Sequence, residues 1–437
     1  MSRTLPPTVF SAETNIGDGA IGLGYRNWRL TALLFVSWLT YLILLAKYEF
    51  WAHFGVPHIN PLFGDLSAIL SAIECSSRGL NVLLDNPCDV MGRPHVYGSI
   101  WLKLGLLGLG QEHLFVVGLI TDLAFMALAV WLIKPTSWFE FAVAVLILFS
   151  PATTLALERS NNDLLVFALL LLSAVCLTLR QSLSQTLGLI IIYAATLLKI
   201  YPSILFVAIF FIIKRNLKEC IITFAMALFL VALWLLGNVR EILLLKETVP
   251  KPTGPFATGA KAVFEYLTWG YTPGMMIIFI AIIMLCALGF FLKLDAHHAL
   301  PQKPSLKNTL FIFGLFILFF TYTINGNYDY RWIFAIYLIP QLFDIRSRAL
   351  SKRLASRMVL ACFLMLIIIM WTEAFRTSRF LGLGNFNVYF HLGKTVMSNE
   401  FLQMYLKEFS AWVLFAMLFA FFAKSAMALS AGRKSIE

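Results

Sequence analysis

The sequence reads as an all-α polytopic membrane protein on three observations. Of its 437 residues 60% are hydrophobic and only 13% charged, with a mean hydropathy of +0.81. Soluble domains carry about 25% charged residues, so most of this surface faces lipid. Apolar runs of spanning length recur along the whole chain. The aromatic residues, 39 Phe, 11 Trp and 14 Tyr, exceed the needs of a core. Trp28, Trp51, Trp131, Trp138 and Trp371 sit near the ends of apolar runs, where indole rings favour the headgroup level.

Residues 1–28 are polar, Gly-rich and weakly basic, and read as a disordered cytoplasmic tail. The first apolar run, Leu30 to Ala46, outlasts the roughly 7–15 residues of a signal-peptide core and reads as a retained anchor. It opens a single transmembrane domain over 29–426, followed by a short cytoplasmic tail, 427–437. Apolar segments fall at 30–48, 113–133, 139–157, 164–180, 187–198, 203–213, 219–237, 273–292, 308–325, 331–345, 358–373 and 409–426. Ten of these twelve are long enough for a bilayer core of about 30 Å at roughly 1.5 Å per residue. The two short ones, 187–198 and 203–213, flank Lys199-Ile200-Tyr201-Pro202. Arg180 before the pair and Lys214, Arg215 and Lys218 after it put both ends on the basic side. The pair therefore reads as a broken hairpin with Lys199 near its apex, in preference to one Pro-kinked helix.

With the first tail inside, most of the 34 Lys and Arg lie on inner loops, although the outer loops are longer. The cluster Arg346 to Arg357 is the strongest inside marker. Both termini are then cytoplasmic, and the long loops 49–112, 238–272 and 375–408 face outward. No Asn-x-Ser/Thr sequon is present, which favours a bacterial inner membrane and a periplasmic outer face. In loop 49–112, Leu66, Ile69, Leu70 and Ile73 have the i, i+3, i+4, i+7 spacing of an interfacial helix. Cys75 and Cys88 share this loop, either as a disulfide or as two thiols. The net charge of +11 points to retained inner loops and anionic lipid. Nucleic acid is disfavoured, because no separate basic domain interleaves exposed aromatics. There is no internal repeat, CxxC pair or nucleotide-phosphate loop, and His113, His297, His298 and His391 make no metal-ligand spacing.

Charged and amide residues meet on the outer side in four places. These are Asp65 in Phe63-Gly64-Asp65-Leu66; Glu158-Arg159-Ser160-Asn161-Asn162-Asp163; Lys199 and Tyr201 at the hairpin apex; and Asn327-Tyr328-Asp329-Tyr330-Arg331-Trp332. Such groups near a bilayer edge are expensive unless they meet each other, water or a polar ligand. A lipid-linked phosphate donor asks for cations beside the phosphate, a carboxylate to take a proton from an acceptor hydroxyl, and amides for sugar hydroxyls. Asp65 is the candidate base, and Arg159, Lys199 and Arg331 are the candidate phosphate partners. Glu158, Asn161, Asn162, Asp163, Tyr201, Asn327, Tyr328 and Asp329 are candidates for contacting the rest of the substrate. Each also has a plain structural reading. Asp65 caps a helix that begins at Leu66, Glu158 to Asp163 form a solvated turn, Lys199 snorkels from a kinked helix, and Asp329 pairs with Arg331. Asp122, in mid-span, is either functional or the partner of an interior polar group.

This arrangement resembles the membrane-embedded glycosyltransferases of the C-type fold, most closely family 87, whose donors are polyprenyl-phosphate-linked mannose and related sugars. The resemblance rests on Phe63-Gly64-Asp65 with Asn86-Pro87-Cys88 and Tyr97, on Glu158 to Asp163 opening a Leu-rich span, and on Leu198-Lys199-Ile200-Tyr201-Pro202. Asn327 to Trp332 is a weaker echo, and the likeness is carried mainly by residues 60–215. It implies that Asp65 is the general base and that Asn161 to Asp163 and Lys199 to Tyr201 line the donor cavity. It further implies an inverting transfer of a hexose or pentose to a glycan or glycolipid acceptor on the outer face. Many such enzymes carry two acids in the first-loop motif, whereas Asp65 stands without an adjacent one. One carboxylate serves as a base but poorly holds a divalent cation, so a metal-independent enzyme without cofactors is expected.

The main rival is a transporter or flippase built on broken helices. It is disfavoured by the missing internal symmetry and by polar groups on one side only. A polymerase or ligase of lipid-linked glycans usually has an outer loop rich in Arg or His, whereas loop 49–112 holds only Arg78, Arg93, His53, His58 and His95.

Overall fold

A computed structural model describes residues 28–45, 56, 58–179, 181–212, 217–237, 239, 243, 257–260, 272–294, 305–324, 327–349, 353–377, 390–392, 395–397 and 399–434. Residues 1–27 of the expected tail 1–28 and the markers Arg180, Lys214 and Arg215 lie outside the described residues, while Trp28 opens the first helix. The described chain is mostly helical: α1 Trp28–Leu45, α2 Gly64–Ser77, α3 Leu114–Ile133, α4 Trp138–Leu148, α5 Pro151–Glu158, α6 Asp163–Thr178, α7 Ser182–Leu198, α8 Leu205–Ile212, α9 Leu217–Gly237, α10 Pro273–Lys293, α11 Leu306–Ile324, α12 Ile339–Arg348, α13 Arg353–Thr377 and α14 Asn399–Lys434. Tighter 3-10 turns cover Ser99–Leu107, Gln111–His113, Tyr201–Ile204 and Asp329–Leu338. Two short antiparallel ladders pair Ala257–Thr258 with Asn327–Tyr328, and Phe390–Leu392 with Thr395–Met397.

Each predicted apolar segment holds helix, but ten full-length spans are not what the described residues show. Five helices are long and apolar enough to cross a membrane, or six if α4 and α5, bent by 50°, count as one. The bend has a local cause. The Ser150 hydroxyl accepts from the Thr153 amide at 3.3 Å, and Pro151 sits in the first turn, so a new helix starts inside the segment 139–157. Likewise 331–345 is no single span, because the chain winds as a 3-10 turn to Leu338 before α12 begins.

The chain doubles back at Lys199. Gly188 in α7 lies against Ser173 and Leu177, far along α6 from Asp163, and a Cβ there would come within 2.8 Å of Leu177. Lys199 has returned to Asp163. Beyond Pro202, Phe211 in α8 packs on Phe316 in the middle of α11 and on Phe422 of α14, with centroids 6.0 and 4.9 Å apart.

The turn Asp329–Leu338 is buried between α11 and α5. Gly314 permits this approach, since a Cβ would stand 3.0 Å from the Phe334 carbonyl. Phe167 of α6 stacks on Tyr337 at 4.5 Å and meets Phe125 of α3 edge-on at 5.0 Å, closing the core beneath the polar end.

The stripe Leu66, Ile69, Leu70 and Ile73 corrects the interfacial reading of α2. All four are buried, packed with Phe63 and Trp101. The reason is covering within the same loop: the turn Ser99–Leu107 lies over α2 and takes up its apolar face. Cys75 and Cys88 are bonded, tying α2 to the following loop with Cα atoms 5.8 Å apart.

Candidate functional site

The site is built where two helix ends meet. At the start of α2, the Phe63 amide donates to the Glu158 carbonyl at 3.0 Å, and the Asp65 and Leu66 amides donate to the Arg159 carbonyl at 3.1 and 3.3 Å. The unsatisfied amides of one helix thus meet the unsatisfied carbonyls of another, with complementary dipoles. Phe63 pays for this docking with a left-handed backbone (φ 64°), strained for a bulky residue. Its ring holds it there, packed so close to Gly118 that a Cβ on the glycine would lie 2.3 Å from it. Phe63, not Asp65, occupies the cap position, and the helix begins at Gly64. Asp65 in the first turn is therefore released from capping, its carboxylate favoured by the helix dipole.

Asp65 Oδ2 accepts a short hydrogen bond from Asn161 Nδ2. Its Oδ1 faces Arg159 Nη1 at 3.9 Å and Arg93 Nη1 at 4.0 Å, within ion-pair reach but beyond hydrogen bonding. Asn161 Oδ1 in turn accepts from the Asp163 amide at 2.9 Å and from Lys199 Nζ at 3.1 Å. Lys199 and the Tyr201 hydroxyl both donate to Asp163 Oδ1, at 2.5 and 2.7 Å. Arg331 Nε stands 3.8 Å from Asp163 Oδ2, with its guanidinium over the Tyr201 ring. The Lys199 ammonium lies 5.5 and 5.8 Å from the Tyr97 and Tyr330 ring centres. Tyr97, Tyr328 and Tyr330 all lie close enough to Asp65 to interact with its charge, and Tyr328 and Tyr330 stack on each other.

Three cations are bound to acids of their own. Arg159 Nε meets Glu158 Oε2 at 2.7 Å, and Arg93 grips Asp89 through Nε and Nη2, both at 2.8 Å. Lys199 holds Asp163. Burial raises the Asp89 carboxyl, but the hydrogen bonds and charge of Arg93 outweigh it and keep the group below the usual range. Burial and the Arg159 charge hold His58, 3.1 Å from Glu158, below the usual imidazole range. Arg331, by contrast, touches its carboxylate only loosely. Among the described residues of this cluster, Asp65 Oδ1, the Arg331 donors and Arg159 Nη1 keep capacity for a ligand.

Of the sequence candidates, Asp65, Glu158, Arg159, Asn161, Asp163, Lys199, Tyr201, Tyr328 and Arg331 come together here. Asn327 and Asp329 turn away. Asn327 donates to the Thr321 carbonyl, and Asp329 accepts from Thr258 and, at 2.6 Å, from Lys407. That corrects the expected Asp329 to Arg331 pair, because Lys407 of α14 supplies a closer buried cation. Asn162 is buried at the cap of α6, its amide without a hydrogen-bond partner among the described residues. Glu158 to Asp163 are no solvated turn: Glu158, Asn161 and Asp163 are fully buried. Asp122 is buried beneath the Asn161 turn beside Ser160, whose hydroxyl donates to the Gly118 carbonyl at 3.4 Å. Sequence reasoning passed over Arg93 and Asp89, whose i, i+4 spacing of opposite charges in an outer loop was the available signal. Among the described residues no group of three His, Cys, Asp or Glu is arranged to hold a metal ion. No family model, curated protein or solved structure matches the chain.

Proposed function

We propose that the protein is an integral-membrane glycosyltransferase of C-type architecture. In this reading it moves a hexose, mannose-like, or a pentose from a polyprenyl-phosphate-sugar to a lipid-linked or glycan acceptor at the outer face. The observation that carries the reading is the Asp65 carboxylate, anchored at Oδ2 by Asn161 and uncommitted at Oδ1, in a pocket of cations. An acceptor hydroxyl attacks the anomeric carbon from the face opposite the phosphate. The new C–O bond forms as the bond from carbon to phosphate oxygen breaks, with inversion. The hydroxyl proton passes to Asp65 Oδ1, and polyprenyl phosphate leaves with its charge met by Arg331 and Arg159. Phosphate is a good leaving group, so one base with nearby cations suffices and the two-carboxylate logic of glycoside hydrolysis is not needed. Tyr97, Tyr328 and Tyr330 offer ring faces for the sugar beside the base. The break at Lys199 to Pro202 offers the lipid tail a lateral path.

The test is a panel of polyprenyl-phosphate sugars offered to the purified protein in lipid nanodiscs, with release of polyprenyl phosphate as the readout. Asp65→Asn is expected to slow release by about 10²- to 10⁴-fold while donor binding persists. Unchanged turnover in Asp65→Asn removes Asp65 as base. Donor bound without bond cleavage, and moved across the bilayer when the protein is placed in sealed proteoliposomes, establishes a carrier instead.

A further inference from the structure

The three cations expected beside the donor phosphate are not equivalent. Lys199 is nearly buried, its side chain 10% exposed. Its ammonium has three N–H bonds. One goes to Asp163 at 2.5 Å, one to Asn161 at 3.1 Å, and the remaining approach is bounded by the faces of Tyr97 and Tyr330. A phosphate oxygen reaching Nζ would have to enter between these two rings or displace a buried carboxylate.

What Lys199 does determine is the sense of the Asn161 amide. Asn161 Oδ1 receives two donors, Lys199 Nζ and the Asp163 amide, which fill both of its lone pairs. The end facing Asp65 must then be the NH₂. In the flipped state Oδ1 would oppose the Asp65 carboxylate, and the NH₂ would oppose an ammonium and an amide N–H, repulsive at both ends. We infer that Lys199 is a positioning residue, which acts through Asn161 to anchor Asp65 Oδ2 and leave Oδ1 as the proton-accepting atom, and is not a ligand of the donor phosphate. The inference rests on the glycosyltransferase reading for its catalytic consequence, though its geometric content stands without a donor.

Lys199→Met removes the donor without orphaning Asp163, which keeps the Tyr201 hydroxyl at 2.7 Å and Arg331 at 3.8 Å. Lys199→Gln restores a neutral donor. The probe is a synthetic short-chain isoprenyl-phosphomannose, with water as acceptor. Lys199→Met is expected to lower kcat by about 10- to 100-fold, with donor Kd within about threefold of wild type. Lys199→Gln recovers most of kcat. A Kd weakened about tenfold or more in both variants, with kcat retained, would overturn the inference and make Lys199 a phosphate ligand. If wild type cleaves no donor, the glycosyltransferase reading fails, and a cryo-EM map of Lys199→Met decides the positioning separately. Asn161 swung off Asp65 supports it, and Asn161 unmoved against Asp65 overturns it.

Discussion

Lys407 of α14 donates to Asp329 at 2.6 Å across 78 residues of sequence, and both side chains are buried. Asp329 also accepts from Thr258, and the neighbouring Glu408 accepts from the Gly259 amide and the Tyr322 hydroxyl. The last helix thereby clasps the ladder of Ala257–Thr258 with Asn327–Tyr328 just before Arg331, fixing the frame from which that guanidinium enters the site.

Breaking this pair from one side leaves a charge in the interior. Lys407→Met is expected to cost about 3–5 kcal/mol, read as a lower melting temperature in detergent. Adding Asp329→Leu should return much of that loss. A Lys407→Met protein that melts like wild type would show that Asp329 finds water or another donor there.

The bond between Cys75 and Cys88 braces the loop that carries the Asp89 to Arg93 clamp, and through Arg93 Nη2 it reaches the Gly64 carbonyl at 2.8 Å. Closing a 13-residue separation is worth roughly 2–4 kcal/mol. Treatment with a phosphine reductant should lower the melting temperature and weaken donor binding together. Loss of stability with donor affinity intact would disconnect the brace from the site.

Gly98 has no room for a side chain, since a Cβ would fall 2.2 Å from the Leu197 carbonyl. That contact sets Tyr97 against the end of α7, next to Lys199. Gly98→Ala is expected to destabilise by about 1–3 kcal/mol through overpacking and to reduce donor turnover more than a comparable change at Gly289, where a Cβ meets nothing. Parallel melting and turnover assays on the two variants make the comparison.

Burial pulls the His95 imidazole down to about 4, a backbone contact with Gly98 offsetting only part of this. As pH falls the unfolded chain takes up this proton first, at about 6.5, so stability is lost from there down to about pH 4, by up to roughly 3 kcal/mol. His58, also lowered, acts in the same direction, whereas the lowered Asp89 contributes only at still more acidic pH. Melting temperatures across pH 4–7 should fall toward acid in wild type and less steeply in His95→Gln, where His58 remains. A parallel decline in both would assign the acid sensitivity elsewhere.

Much of the site was legible in sequence because a lipid-facing chain makes its few polar residues conspicuous. Asp65, Arg159, Asn161, Asp163, Lys199 and Arg331 stood out against apolar flanks, and they meet. Their pairing was not legible. Whether Asp329 takes Arg331 or Lys407 depends on where α14 passes, and no local pattern encodes that. The cap of α2 was misplaced because its amides are satisfied by the carbonyls of Glu158 and Arg159 instead of a nearby side chain. The break at Ser150-Pro151 carried its own local signal, whereas the covering of α2 by Ser99–Leu107 did not.

By itself the sequence determined the helical, lipid-facing character of the chain, since hydropathy and the rise of a helix act residue by residue. It also determined which side chains were too costly to bury without purpose. The tertiary structure decided which of them are spent and which are free. Hydrogen bonding falls off within a few ångströms, so whether Lys199 binds a substrate or steadies Asn161 is set by the 3.1 and 2.5 Å contacts that only the packed helices create.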